Sequence, residues 1–253
     1  MDEETHNYRL TRKEKRLQRQ QNKQEAVQQQ SIKEKLNFVL KYIKPLTPSQ
    51  ERVFEDYQNK DLLLHGYAGT GKSFVAIYLA LKQLIEEPNS SYKKIVIVRS
   101  TVPTRDQGFL PGSSKEKSKE YELPYQAICN ELFGRGDAYD YLKNKKLIEF
   151  ISTSYIRGLT INNAIIFADE IENFSFHELD SVITRTGKGC KLIYGGDFTQ
   201  TDFIYDKDKD GLKKFMKILE NMKCFSFIEF SEQDIVRSGK VKEYIITKNR
   251  MKL

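Results

Sequence analysis

The chain has 253 residues, 30% of them charged and 39% hydrophobic, which describes a mostly soluble globular protein of one large or two small domains. Its longest apolar runs, "IVIV" (95–98) and "AIIFA" (164–168), are strand-sized and exclude a bilayer-spanning helix, and the polar opening "MDEETHNYRL" lacks the apolar stretch of a secretory leader. A net charge of +7 and a pI near 9.0 favour polyanionic partners, nucleic acid first, against the plainer reading of a lysine-rich soluble surface.

Residues 1–45 hold eleven Lys and Arg against six Asp and Glu, so five of the seven net positive charges lie there. Within them "RLTRKEKRLQRQQNKQEAVQQQ" (9–30) has almost nothing to bury and reads as disordered or as a solvated helix. "SIKEKLNFVLKYIKPL" (31–46) restores helical apolar spacing at Ile32, Leu36, Val39, Leu40 and Ile43, and Pro45 closes that helix. The expectation is a basic, Gln-rich extension over 1–45 and a compact domain over 46–253. "LTPSQ" (46–50) is a helix start, with Thr47 as N-cap, Pro48 at the first position and Gln50 at the third. Gln50 has a second reading, in which its amide recognises adenine.

Strand-like runs follow at 61–65, 94–99, 147–152, 164–168, 190–195 and 224–230, and helical patterns at 49–58, 72–86, 122–133, 175–185, 210–222 and 239–247. Such alternation predicts an α/β domain with a mostly parallel sheet and helices on both faces. The stretch 100–121 has no periodicity and is long for a loop, which marks it as functional or disordered. Cys129, Cys190 and Cys224 have no metal spacing and suit free thiols in a reducing cytosol, hence a cytoplasmic protein.

"GYAGTGKS" (66–73) matches G-x-x-x-x-G-K-[ST] between a strand and a helix. Gly66, Tyr67, Ala68, Gly69, Thr70 and Gly71 supply a loop whose backbone N–H groups form a nest for phosphate, aided by the dipole of the following helix. Lys72 reaches the β- and γ-phosphates of ATP, and the Ser73 hydroxyl is a ligand for Mg²⁺. "AIIFADE" (164–170) is a strand that ends in two carboxylates. Asp169 is placed to hold the Mg²⁺ through a water, and Glu170 to polarise the attacking water as general base. After the strand 190–195, "YGGDFTQTD" offers Gln200 as a group that senses the γ-phosphate or orients water.

The lysines and aromatics of "GSSKEKSKEYELPY" (112–125) read as a base-stacking surface or as a solvated loop. Arg157 and Arg237 stand at element ends, where a guanidinium can meet a phosphate, and His65 and His177 are isolated and read as structural.

In their order, "LTPSQ", "GYAGTGKS", "VRSTVPTRDQGFLPG", "YIRGLT", "IIFADEIEN", "GGDFTQTDF" and "DIVRSGKVKEYI" resemble the PhoH-like ATPases, and the phage type most closely. The resemblance runs from about Leu46 to Ile246. It implies a RecA-like core related to one ATPase domain of the superfamily 1 helicases, with ATP and Mg²⁺ at Lys72, Ser73, Asp169 and Glu170. It also implies Gln200 in the sensor position, Gln50 on adenine, and Arg237 on a γ-phosphate of its own or a neighbouring subunit. Two departures stand out. Where relatives commonly carry "DEAQN" this chain has Glu172 in "DEIEN", which puts in doubt a coupling of hydrolysis to nucleic acid through that side chain; and residues 1–45 are too short and too poor in acid clusters for the nuclease domain some relatives carry.

One RecA-like domain lacks an internal partner, so the chain is expected either to form a homo-oligomer, most simply a ring such as a hexamer, or to hydrolyse ATP without unwinding. The leading expectation is an ATPase that acts on RNA or single-stranded nucleic acid. The alternative is an ATP-gated adaptor with slow turnover. A kinase is disfavoured, since the "DE" pair and the downstream glutamine suit attack by water.

Overall fold

The computed structural model describes residues 38–87, 90–100, 114–197 and 206–251, with the backbone alone for 114–118 and 206–210. The expected N-terminal extension up to residue 37, the "GFLPG" segment and Gln200 lie outside the described residues.

Six strands, β1 (Asp61–Gly66), β2 (Lys94–Arg99), β3 (Ile148–Ser152), β4 (Ala164–Asp169), β5 (Lys191–Gly196) and β6 (Phe225–Phe230), form one sheet in the order β3-β2-β4-β5-β1-β6. Every pairing is parallel. All six match the strand-like runs of the sequence. The inner strands β2, β4 and β5 are buried in near-continuous runs because both faces of a parallel sheet are covered, whereas the edge strands β3 and β6 carry Glu149, Ser226 and Glu229. Alternate residues point to opposite faces. Leu62, Leu64, Ile95, Ile97, Ile165 and Phe167 enter one core, while Leu63, Val96, Val98, Ile166 and Ala168 enter the other.

The first core is covered by α1 (Pro48–Asp56), α2 (Lys72–Glu86), α3 (Ser114–Phe133) and α4 (Ala138–Asn144). The second is covered by the short α5 (Thr153–Ile156), by α6 (Phe176–Thr184) and by α7 (Asp206–Glu220). A last helix, α8 (Gly239–Arg250), buries none of its residues. The RecA-like α/β architecture expected from the sequence is the one observed. β5, whose end leads toward Gln200, lies between the strand of the glycine loop and the strand of the two carboxylates.

Three local expectations are corrected. Residues 38–46 are not helical. Their backbone bonds go outward instead, from Lys41 N to Leu132 O and from Ile43 N to the Tyr78 hydroxyl, and Val39 is left 83% exposed. Pro45 cannot donate and restricts the residue before it, so the segment runs as a strap over α2 and α3. Within 38–46, Leu40 is buried and Phe38 and Ile43 pack against the first core. Second, α3 begins at Ser114, inside the stretch 100–121 that shows no periodicity, and it contains Pro124. Third, α4 is an extra element whose seven residues are too few to display a helical period.

The sheet meets the glycine loop at one tight point. Gly66 has φ +117°, and a Cβ there would sit 2.1 Å from the carbonyl oxygen of Phe230 at the end of β6. The same oxygen accepts the Tyr67 N–H at 3.0 Å. Since the obstacle is backbone, Gly66→Ala is expected to cost more than ~2 kcal/mol of unfolding free energy; urea denaturation of the two proteins side by side measures it, and a loss below half that figure would show that β6 can move away.

Candidate nucleotide-binding site

The glycine loop ends where α2 begins. Gly71, with φ +82°, is the N-cap of α2, and no side chain caps that helix start. Its first N–H groups therefore point into the loop as donors for an anion. Thr70 is fully buried and its hydroxyl donates to Tyr67 O at 2.9 Å, which closes the loop on itself. Lys72 folds back into the loop, and its Nζ donates to Gly66 O and Tyr67 O at 2.7 Å each. Burial pulls the Lys72 ammonium below its usual range, against the opposing pull of Asp197, Glu172 and Asp169. A half-buried cation whose hydrogen bonds go to carbonyl oxygens is well placed to take an anion. The nest and the lysine thus fit the phosphates of a nucleotide.

The carboxylates stand across from it. Ser73 Oγ, one residue into α2, donates to Asp169 Oδ1 at 3.0 Å, so the two expected Mg²⁺ ligands meet directly. Asp169 is buried at the end of β4 and also accepts the hydroxyl of Tyr125 on Oδ2 at 3.0 Å. Desolvation, then the neighbouring Glu170, push the Asp169 carboxyl up to about 6, although bonds from Ser73 and Tyr125 and the Arg99 charge oppose them. A hard cation between Ser73 and Asp169 would relieve that cost, and the oxygen-donor chemistry of the pair suits Mg²⁺.

Glu170 follows with φ +54°, a left-handed conformation that a non-glycine residue adopts at some cost. Its N–H donates to Asp169 Oδ1 at 3.1 Å and its carboxylate pairs with Arg99. Glu172 lies in a single turn of 3-10 helix after it, buried, and its Oε2 accepts the Asp197 N–H at 3.0 Å. It thereby joins the carboxylate strand to the chain that leads to Gln200. Burial pushes the Glu172 carboxyl up to about 8, which favours its neutral form and brings its polarity toward that of a glutamine.

Gln50 is buried in α1 and spans two backbones. Its Nε2 donates to Thr70 O at 3.0 Å and its Oε1 accepts the Leu46 N–H at 2.8 Å. The N-cap at Thr47 is as expected, with its hydroxyl accepting the Gln50 N–H at 3.3 Å. The amide of Gln50 thus braces the glycine loop. Arg237 lies against the other side of the loop, where a Cβ on Gly69 would be 2.8 Å from its Cγ, and the preceding Val236 N–H donates to Gly69 O at 3.1 Å. The structure therefore brings Gln50, Gly66 to Ser73, Asp169, Glu170 and Arg237 of one chain together. Arg157 is not among them: it is exposed after α5, beside His177 of α6 and Arg185 at that helix's C-cap.

Two residues that matter here were not singled out from the sequence. Arg99 ends β2 and reaches Glu170, and Tyr125 is fully buried on Asp169 rather than on a base-stacking surface. Their only signal was spacing: Tyr121 and Tyr125 are four apart on α3, on one helix face, and Tyr121 lies under the Arg99 guanidinium at 5.5 Å.

The PhoH-like protein family model matches residues 42–248. This chain belongs to that family. A PhoH-like protein of Bacillus subtilis is 32% identical over 207 residues, 81% of this chain and 63% of the relative. One from Synechocystis is 33% identical over 181 residues, 71% of this chain and 54% of the relative. Protein PhoH of Escherichia coli K12 is 29% identical over 179 residues, 69% of this chain and 49% of the relative. The chain therefore spans about half to two thirds of the length of these family members. Among solved structures, Bacteroides Pif1 bound to ssDNA aligns with a TM-score of 0.42 at 16% identity, over 84% of this chain and 46% of that one. Pif1 helicase from Candida albicans gives 0.36 at 17%, over 83% and 44%. Family membership and the glycine loop make this PhoH-like chain a P-loop NTPase. Among the described residues no helix is long and apolar enough to cross a membrane.

The buried acid gives a prediction. A carboxyl whose pKa is raised by folding takes up protons on folding, so its contribution to stability falls as pH rises from the unfolded value to the folded one. Glu172→Gln should raise the melting temperature of the ligand-free protein by several degrees at pH 8.5 and by little at pH 5. Thermal unfolding across that range would show it; an equal shift at both pH values would mean that Glu172 is ionised throughout.

Proposed function

We propose that this chain hydrolyses ATP to ADP and phosphate with Mg²⁺, and couples the reaction to RNA or single-stranded nucleic acid as a homo-oligomer. The observation that carries the proposal is the direct Ser73 Oγ to Asp169 Oδ1 contact at 3.0 Å beside the inward-turned Lys72. It supports a reading in which a phosphate cradle, two metal ligands and a second carboxylate work together. Lys72 and the loop N–H groups hold the β- and γ-phosphates. Ser73 and Asp169 hold the metal ion, which supplies charge neutralisation on the phosphates when bound. Glu170 accepts a proton from the attacking water. Gln50 steadies the loop and offers its amide to adenine, and Gln200 senses the γ-phosphate. The basic charge of the chain supports a polyanionic partner.

Expected results follow for purified protein assayed with and without single-stranded RNA or DNA. Nucleic acid raises hydrolysis several-fold. Lys72→Ala lowers kcat at least about tenfold and Glu170→Gln about 100-fold or more, while Glu170→Gln still binds ATP. Hydrolysis that survives in Glu170→Gln removes this residue as base, and hydrolysis indifferent to both polymers removes the coupling.

Arg237 acts in its own subunit on this reading, since it lies against Gly69 of the same chain. Mixing Arg237→Ala with Lys72→Ala protein should then leave both inactive. Recovered activity in the mixture would instead place Arg237 on a neighbour's nucleotide.

One observation favours the alternative, an ATP-gated adaptor with slow turnover: the carboxylate of Glu170 is already engaged by Arg99.

A further inference from the structure

The general base proposed above has a partner that competes with water. Glu170 Oε2 accepts from Arg99 Nη2, and this is the one ion pair of Glu170 among the described residues. The pair is unequal in exposure, with the Arg99 side chain 15% exposed and that of Glu170 40%. Arg99 is fixed from behind. It ends β2, which pairs with β3 through Arg99 and Ser152 and with β4 through Val98 and Ala168, so its Cα is part of the sheet. Its guanidinium lies over Tyr121, and one helical turn further along α3 Tyr125 bonds Asp169. Glu170, in contrast, has an unfavourable backbone conformation at the edge of the site. The rigid partner therefore dictates where the strained one points.

We infer that Arg99 is a positioning residue that holds Glu170 away from the attacking water in the resting enzyme, and that a phosphodiester of a single strand releases it by taking the guanidinium. This rests on the ATPase reading above and adds to it how nucleic acid reaches the chemistry. A carboxylate oxygen that accepts a charge-assisted bond from guanidinium is withdrawn as an acceptor for water. A phosphodiester presents two oxygens to the same planar fork and carries a full negative charge, so it competes on equal terms. Once Arg99 turns to that anion, Glu170 is freed. The stacking surface of Tyr121 remains with the guanidinium, which keeps it from collapsing onto Asp169. This route runs through β2 and does not pass through Glu172.

The test compares wild type with Arg99→Gln and Arg99→Lys, measuring kcat and KM for ATP with no polymer, with single-stranded RNA and with single-stranded DNA. Removing the clamp should raise polymer-free kcat about fivefold, as expected for a partly exposed ion pair, at unchanged KM. Neither polymer should stimulate Arg99→Gln further, whereas Arg99→Lys keeps a cation and should lie between the two. Should Arg99→Gln fail to fold by its melting temperature, Tyr121→Leu loosens the guanidinium and should raise the polymer-free rate in the same sense. Three results overturn the inference. If Arg99→Gln hydrolyses slowly and remains stimulated, Arg99 is not the clamp, although the ATPase reading stands. A large rise in KM or a fall in kcat would place Arg99 on the nucleotide. A faster Arg99→Gln beside a wild type that no polymer stimulates would keep the clamp and remove nucleic acid as its release. If neither protein hydrolyses ATP under any condition, the ATPase reading itself fails.

Discussion

Asp169 is the joint on which the site depends. Its carboxylate is buried at the end of the central strand β4 and accepts from the Ser73 hydroxyl at the start of α2, from the Tyr125 hydroxyl in α3 and from the Glu170 N–H. Three elements that are far apart in sequence are thereby tied to one pair of oxygens. The bond from Tyr125 satisfies a fully buried hydroxyl, and leaving such a group without a partner costs more than the bond itself contributes. The consequence is positional. The α2 start cannot shift relative to β4 without breaking the Ser73–Asp169 bond, and the distance between the phosphate cradle and the carboxylates is set by that constraint.

The charges around this joint are arranged with a deficit of cation. Asp169, Glu172 and Asp197 all act on the single ammonium of Lys72, and two of the three, Asp169 and Glu172, have carboxyls pushed up by desolvation. A site built only for stability would avoid this, since burying like charges together is costly. The cost becomes intelligible if a divalent cation and a polyphosphate complete the set, because the ion compensates the acids and the phosphates compensate the lysine. Strain in the Glu170 backbone belongs to the same pattern, with local stability given up at the position where chemistry is proposed.

Much of this was legible in the sequence, for physical reasons. An all-parallel sheet buried on both faces writes its strands as apolar runs, so "LLL", "IVIV" and "AIIFA" could be placed within a residue or two. The glycine loop was legible because phosphate binding demands a fixed spacing within a few residues. Thr47 was legible because helix capping is local. What escaped was long-range or dual in meaning. Residues 38–46 carry helix-like apolar spacing, yet they bond to Leu132 and Tyr78, partners that no local pattern reveals. Tyr125 looked like part of an exposed aromatic surface, since a tyrosine that caps a buried carboxylate leaves the same letter as one that stacks on a base. Arg99 ends a strand, and nothing near it in sequence announces that Glu170 lies beside it.

Glu172 shows why such substitutions are hard to judge from the letter alone. Read as a charged residue, an acid in place of the family's common glutamine reverses the chemistry of the position. Read in its surroundings, it is a buried carboxyl that accepts the Asp197 N–H and is pushed up to about 8. In its neutral form it can donate as well as accept, which is what a carboxamide does. It packs closely on Gly196, where a Cβ would come within 2.6 Å of Oε2. The difference from glutamine then lies in the proton: the carboxyl can lose it when a cation approaches, and the amide cannot. A site holding a metal ion and the phosphates would shift the balance between the two states of Glu172, and with it the polarity at the link between β4 and the end of β5.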